Sequence, residues 1–148
     1  MAYVRDLSDT TSQQLFVLPT SAKLIEAAEI LADTARQMVV IENQEKQMTG
    51  VVTRADVVRM IRNCKGSSSG TLCANIMTTD VHSCSPEHEL HIVWAWMHER
   101  RLQSMPVVDD RNHPVGLLLA RNVLERLLSE TDHEEQLMKE YIMGIGYR

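Results

Sequence analysis

No dense run of lysine and arginine occurs in this sequence; Arg100-Arg101 is the nearest approach. With 20 acidic against 15 basic side chains the formal net charge is −5. That balance argues against nucleic acid as a partner, because such binding rests on a basic patch that releases counterions. The cysteines Cys64, Cys73 and Cys84 are odd in number and show no CxxC spacing, so neither a disulfide framework nor a zinc site is indicated. No apolar stretch approaches the about 20 residues that cross a bilayer, and Met1-Ala2-Tyr3-Val4-Arg5-Asp6 carries no signal-peptide pattern. The chain therefore reads as cytoplasmic, with no membrane partner. Aromatic residues are scarce at 4%, whereas methionine occurs nine times. The interior must be aliphatic, with methionine filling irregular gaps.

The most informative feature is a duplication. A shift of 66 residues brings Leu24, Ala27, Ala28 and Leu31 onto Leu90, Val93, Trp94 and Met97. Both sets follow the i, i+3, i+4, i+7 spacing of an amphipathic helix. Pro19-Thr20-Ser21 and Ser85-Pro86-Glu87 offer helix-start residues before each. Short β-branched runs follow, Met38-Val39-Val40-Ile41 and Met105-Pro106-Val107-Val108, bounded by polar turns and read as buried strands. Second strands come next, Gly50-Val51-Val52-Thr53 and Gly116-Leu117-Leu118-Leu119. Further helices then carry Val57, Val58 and Ile61, or Val123, Leu124, Leu127 and Leu128.

The unit is thus βαββα, twice, in a mixed α/β (α+β) fold. Each copy of about 50 residues buries too little alone, and two packed sheet-to-sheet share a core. The expected boundaries are 1–62 and 74–128, with a Gly/Ser-rich linker at 63–73. Residues 129–148 read as a separate amphipathic helix with Leu137, Met138, Tyr141 and Ile142 on one stripe. Its acidic face, Glu134, Glu135 and Glu140, speaks against a membrane surface.

Other constellations lead nowhere specific. His88, His91 and His98 flank the apolar face of a helix, which favours a structural role over metal binding. Trp94 and Trp96 cannot share one helix face, so Trp96 is assigned to a dimer or partner surface. Cys84 and Ser85 lie near His82 and His88 in sequence only, which is no sign of a catalytic triad. No enzyme activity is expected.

Gly50-Val51-Val52-Thr53-Arg54-Ala55-Asp56, Ile76-Met77-Thr78 and Ser104-Met105-Pro106-Val107-Val108-Asp109, in register with the repeat, resemble the tandem cystathionine-beta-synthase (CBS) domain pair, or Bateman module. Val4-Arg5-Asp6-Leu7 resembles a divergent start of the first repeat. The resemblance implies two clefts between pseudo-symmetric repeats and an adenine-containing ligand: AMP, ADP, ATP, NAD(H) or S-adenosylmethionine. It implies no obligatory cofactor, a flat homodimer, and regulation of a separate effector protein. It places Thr53, Arg54 and Asp56 in one cleft, completed by Thr78 and His82 on the first strand of the second repeat and by Ser104, Met105 and Pro106. A weaker second cleft would hold Asn122, Val17 and Val39.

Physical chemistry permits that assignment. A carboxylate at Asp56 can accept both hydroxyls of a ribose, while Thr53, Arg54 and the free N–H groups of a helix start can meet phosphate. Thr53 and Asp56 equally form a plain Thr-x-x-Asp helix start. His82 is a ligand contact or an exposed loop residue. At the second signature Leu119 and Asn122 stand for Thr53 and Asp56, so one competent site per chain is expected. Losing one charge-assisted bond costs about 1.5–3 kcal/mol, or about one to two decades of affinity. A ligand-free dimerisation or scaffold module with degenerate sites is the alternative.

Overall fold

A computed structural model describes residues 1–64 and 70–130, without the Cys64 side chain. The expected tail helix lies outside these from residue 131 onward, as do residues 65–69 of the linker. A 3-10 turn at Val4–Leu7 leads into α1 (Ser8–Gln13). The first repeat follows as β1 (Val17–Pro19), α2 (Leu24–Leu31), β2 (Met38–Glu42), β3 (Met48–Thr53) and α3 (Arg54–Cys64). The second comprises α4 (Cys73–Ile76), α5 (Leu90–Arg100), β4 (Ser104–Val108), β5 (Pro114–Leu119) and a helix, α6, over residues 120–130.

In the first sheet β1 pairs parallel to β2, and β2 antiparallel to β3. In the second, β4 pairs antiparallel to β5. The expected first strand of the second repeat is reduced to one bridge, Cys84 to Val107. Pro106 accounts for the difference. In the first repeat the Val40 N–H donates to Phe16 O at 2.8 Å. Pro106 stands at the position of Val40 and has no N–H to donate, so the ladder cannot lengthen on that edge.

Side chains alternate between two destinations, as strands covered on both faces require. Val39, Ile41 and Val52 point into the first repeat's own core with Ala27 and Leu31. Met105, Val107 and Leu118 point into the second repeat's core with Leu90, Val93 and Met97. Between the sheets Met38, Val40 and Val51 meet Leu117 and Leu119. The turns are joined too: Met48 N–H donates to Asn112 O, and Asn112 Nδ2 donates to Met48 O, both at 2.9 Å.

The two lead-in segments are exchanged. Ala2 and Val4 are buried in the second repeat's core, held by Val4 N–H to His88 O and Leu90 N–H to Ala2 O, both at 2.9 Å. Cys73 is buried in the first repeat's core, with its N–H on Ala22 O at 2.8 Å. Each repeat is therefore completed by residues that precede the other one in the chain.

Some local expectations change. α2 begins after Lys23, whose N–H donates to Glu26 Oε2 at 2.7 Å; Pro19 instead closes β1. α5 begins after Glu89. Ser85 folds a preceding turn, its N–H donating to His88 Nδ1 at 2.9 Å. Trp94 and Trp96 both pack on the second core, and Trp96 stands edge-on to His88, so Trp96 does not face outward alone. In α3 Val57 packs inward while Val58 and Ile61 are exposed.

Burial pushes the Cys84 thiol up to about 12 and, together with the nearby Glu26 charge, raises Cys73. A neutral thiol in the folded state beside an ionising one in the unfolded chain costs stability as pH rises. Stability should decline from about pH 9, where an exposed thiol ionises, toward 12. Alkylation at pH 8 followed by peptide mass mapping should modify Cys73 and Cys84 only after denaturation; modification of either in the native protein would contradict this burial.

Candidate functional site

The signature lies where β3 turns into α3. Thr53 precedes the first residue of α3, and its hydroxyl accepts the Asp56 N–H at 3.4 Å. Asp56 Oδ2 in return accepts the Thr53 N–H at 2.9 Å and its hydroxyl at 3.1 Å. This reciprocal pair is a capping box. Two further donors reach the buried carboxylate: the Thr78 hydroxyl, at 3.1 and 3.3 Å from its two oxygens, and Arg59 Nη1 at 3.1 Å. The four acceptor positions of a carboxylate are thereby filled.

Thr78 reaches this corner because its backbone extends the first sheet, trading N–H and C=O with Val51 at 2.8 and 2.9 Å. It does not lie on a strand of the second repeat, contrary to expectation. Two glycines make the close approach possible. A Cβ at Gly50 would come within 2.8 Å of Thr78 O and 2.7 Å of Met77 Sδ, and one at Gly116 within 2.6 Å of Thr11 Oγ1.

In front of the corner is a cleft of about 150 Å³ shared by both repeats. Thr53, Thr78 and Ser104 supply hydroxyls, and His82 and Pro106 also line it. Met38, Val51, Val81, Leu102 and Asp80 complete it; the sequence reading missed these five. Met38 and Val51 were legible only as core strand residues, since a strand's outward positions become cleft wall once another sheet faces them.

Three assigned residues sit elsewhere. Met105 alternates away from Ser104 and Pro106 and is buried in the second core. Arg54 turns outward, donating to the carbonyls of Leu31, Asp33 and Arg36 at 3.1, 2.9 and 2.6 Å. It ties the end of α2 to α3. Val39 is fully buried among Ala27, Leu31 and Val52.

The second corner repeats the first with different chemistry. Asn122 Oδ1 accepts the Leu119 N–H at 3.2 Å, as Asp56 does from Thr53. Its other donor is Gln14 Nε2 at 3.0 Å, which also donates to Leu117 O at 2.9 Å. Val17, Leu15, Leu117 and Leu119 pack here as part of the inter-sheet core. A larger cavity of about 320 Å³ lies on the outer helical side, among Trp94, Met97 and Leu124. A groove of about 180 Å³ among Ala28, Leu31 and Val58 repeats it 66 positions earlier, so both express helix-pair packing and not the signature. Among the described residues no group of His, Cys, Asp or Glu is arranged to hold a metal, and no helix is long and apolar enough to cross a membrane.

Two βαββα units sharing a sheet-to-sheet core, with Thr-x-x-Asp at the strand–helix turn, define the class of paired α+β modules. The chain belongs to the CBS domain family, whose profile matches it twice, at residues 4–63 and 73–129. It is similar in structure to the CBS domain pair of protein MJ0100 in complex with 5′-methylthioadenosine and S-adenosylmethionine. That likeness has a TM-score of 0.71 and 21% identity over 88% of this chain and 98% of that one. An acetoin utilization protein (AcuB) from Vibrio cholerae gives a TM-score of 0.76 and 20% identity, covering 92% and 97%. In sequence the chain resembles a homoserine O-acetyltransferase of Methanosphaera stadtmanae, 25% identical over 79% of this chain. It spans only 23% of that relative. The mitochondrial CBS domain-containing protein CBSX3 of Arabidopsis thaliana is 28% identical, over 74% of this chain and 54% of its own length.

Because the buried Asp56 carboxylate receives the Thr53 N–H and three further donors at the start of α3, Asp56→Ala should lower stability by about 1–3 kcal/mol in urea unfolding. Asp56→Asn should cost less, since an amide oxygen serves the same corner at Asn122. An equal loss for both variants would show that charge, and not the acceptor oxygen, holds the corner.

Proposed function

We propose that the chain is a regulatory module that binds one adenine-containing ligand in the cleft between Thr53, Thr78 and Ser104 and transmits its occupancy to an effector. The carrying observation is the cleft itself: hydroxyls from both repeats over apolar walls, with the Asp56 carboxylate directly behind. Ligand pockets combine mostly apolar lining with a few placed polar groups. The enclosed volume of about 150 Å³ is below the about 300–1,000 Å³ of pockets that swallow a whole ligand. It suits one part of the ligand, with the remainder along the open rim.

In this reading Met38, Val51, Val81, Leu102 and Pro106 flank the adenine ring, and the ribose diol replaces the Thr78 hydroxyl on Asp56. Thr78 is exposed at the cleft and shares its hydroxyl between both carboxylate oxygens, which makes it the exchangeable donor. His82, exposed on the same wall, is an additional contact. The neighbours whose solved structures hold methylthioadenosine with S-adenosylmethionine, or AMP, support an adenosyl ligand. Relatives in which such a segment is part of a longer enzyme support the regulatory role.

The second corner is assigned no ligand. Asn122 lacks charge, Leu119 lacks a hydroxyl, and the Gln14 amide fills the place that a ligand would need. A homodimer through the helical faces accounts for Val58, Ile61, Leu124 and Leu128, which leave apolar side chains exposed on α3 and α6.

A thermal-shift panel of AMP, ADP, ATP, NADH and S-adenosylmethionine should yield a stabilising ligand, worth about 2.7 kcal/mol at 100 times its dissociation constant. Calorimetry should then give one site per chain, and Asp56→Asn should weaken binding by about one to two decades while the protein stays folded. Two equal sites would refute the asymmetry. No shift with any compound would favour the ligand-free scaffold.

A further inference from the structure

Asp80 and Gln14 are counterparts under the 66-residue shift, and they differ in whether they can donate a hydrogen bond to the side chain of their corner. Gln14 can donate, so its amide reaches Asn122 and seals the second corner. Asp80 cannot donate to Asp56, because two carboxylates only repel. It stays on the cleft wall, exposed, with no hydrogen bond or ion pair to any described residue.

Among the described residues no lysine or arginine lines the cleft. The nearest signature cation, Arg54, has Nε and Nη2 on three carbonyls. Arg59 is held on Asp56 at 3.1 Å, outside the lining. At the start of α3 the Thr53 and Asp56 N–H groups are taken by the capping pair, and the Asp56 carboxylate already offsets the partial positive charge of that helix end.

We infer that Asp80 is a specificity-determining residue that turns this cleft against phosphorylated ligands and toward an adenosyl compound bearing positive charge beyond the ribose, such as a sulfonium. This rests on the cleft being the ligand site. A phosphate would meet an uncompensated carboxylate on a wall that none of the described lysines or arginines lines, whereas a sulfonium or ammonium group would neutralise it.

The test is calorimetry of the full chain with S-adenosylmethionine, neutral 5′-methylthioadenosine, AMP and ATP, repeated on Asp80→Asn. S-adenosylmethionine should bind at least about ten-fold more tightly than AMP or ATP. Asp80→Asn should narrow that ratio at least about five-fold while methylthioadenosine affinity stays within about two-fold. Tighter AMP or ATP, or a ratio unmoved by the substitution, overturns the role of Asp80 and leaves the cleft standing as the site. An equal loss for methylthioadenosine also overturns it, since Asp80 would then act through shape. Binding by none of the four removes the ligand site itself.

Discussion

The inter-sheet core holds the rest of the molecule in place. Each repeat covers only one face of its sheet with its own helices, and the opposite face is closed by the other repeat. Met38, Val40 and Val51 meet Leu117 and Leu119 there, and burying each such side chain contributes about 1.5–3 kcal/mol. The exchanged lead-ins add to this constraint, because Val4 completes one core and Cys73 the other. Separating the repeats would open all three cores, so the cleft between them exists only in the assembled pair. Its two walls are held at fixed distance by packing and by the reciprocal bonds of Met48 and Asn112.

Upon that symmetric frame the two corners differ by a few atoms. Both place an oxygen-bearing side chain at the third position of a helix and use it to receive the N–H that the helix leaves unpaired. One oxygen belongs to a carboxylate, whose two oxygens together draw hydroxyls and a guanidinium; the other belongs to an amide and draws an amide. The neutral corner finds its partner within the chain. The charged corner keeps polar groups facing a cavity, where something from outside can replace them. Structural capping and ligand contact are thus compatible roles for Asp56.

The fold was largely legible because periodicity is a local signal. The stripe of Leu24, Ala27 and Leu31 and its repeat at Leu90, Val93 and Met97 point inward as their spacing requires. Thr53, Thr78, Ser104 and Pro106 could be named as cleft residues from the motifs that contain them, and His82 from its place just after one, and all five share one cleft. Met105, Val39 and Arg54 could not be placed, since adjacency in a motif does not reveal which face of a strand or helix a side chain takes. Met105 is one residue from Ser104 and therefore on the opposite face.

The sequence by itself determined the duplication, the order of elements, the family signature and the chemical inequality of Asp56 and Asn122. All of these depend on residue type and spacing along the chain. Tertiary structure alone decided that Thr78 joins the first sheet, that the lead-in segments cross over, and that Gln14 donates to Asn122 while its counterpart Asp80 lies on the wall of the other cleft. Those outcomes depend on contacts between residues far apart in the chain, such as Gln14 with Asn122 and Val4 with His88. No local pattern encodes such pairs, because each partner is chosen by what the packed sheets bring within hydrogen-bonding distance.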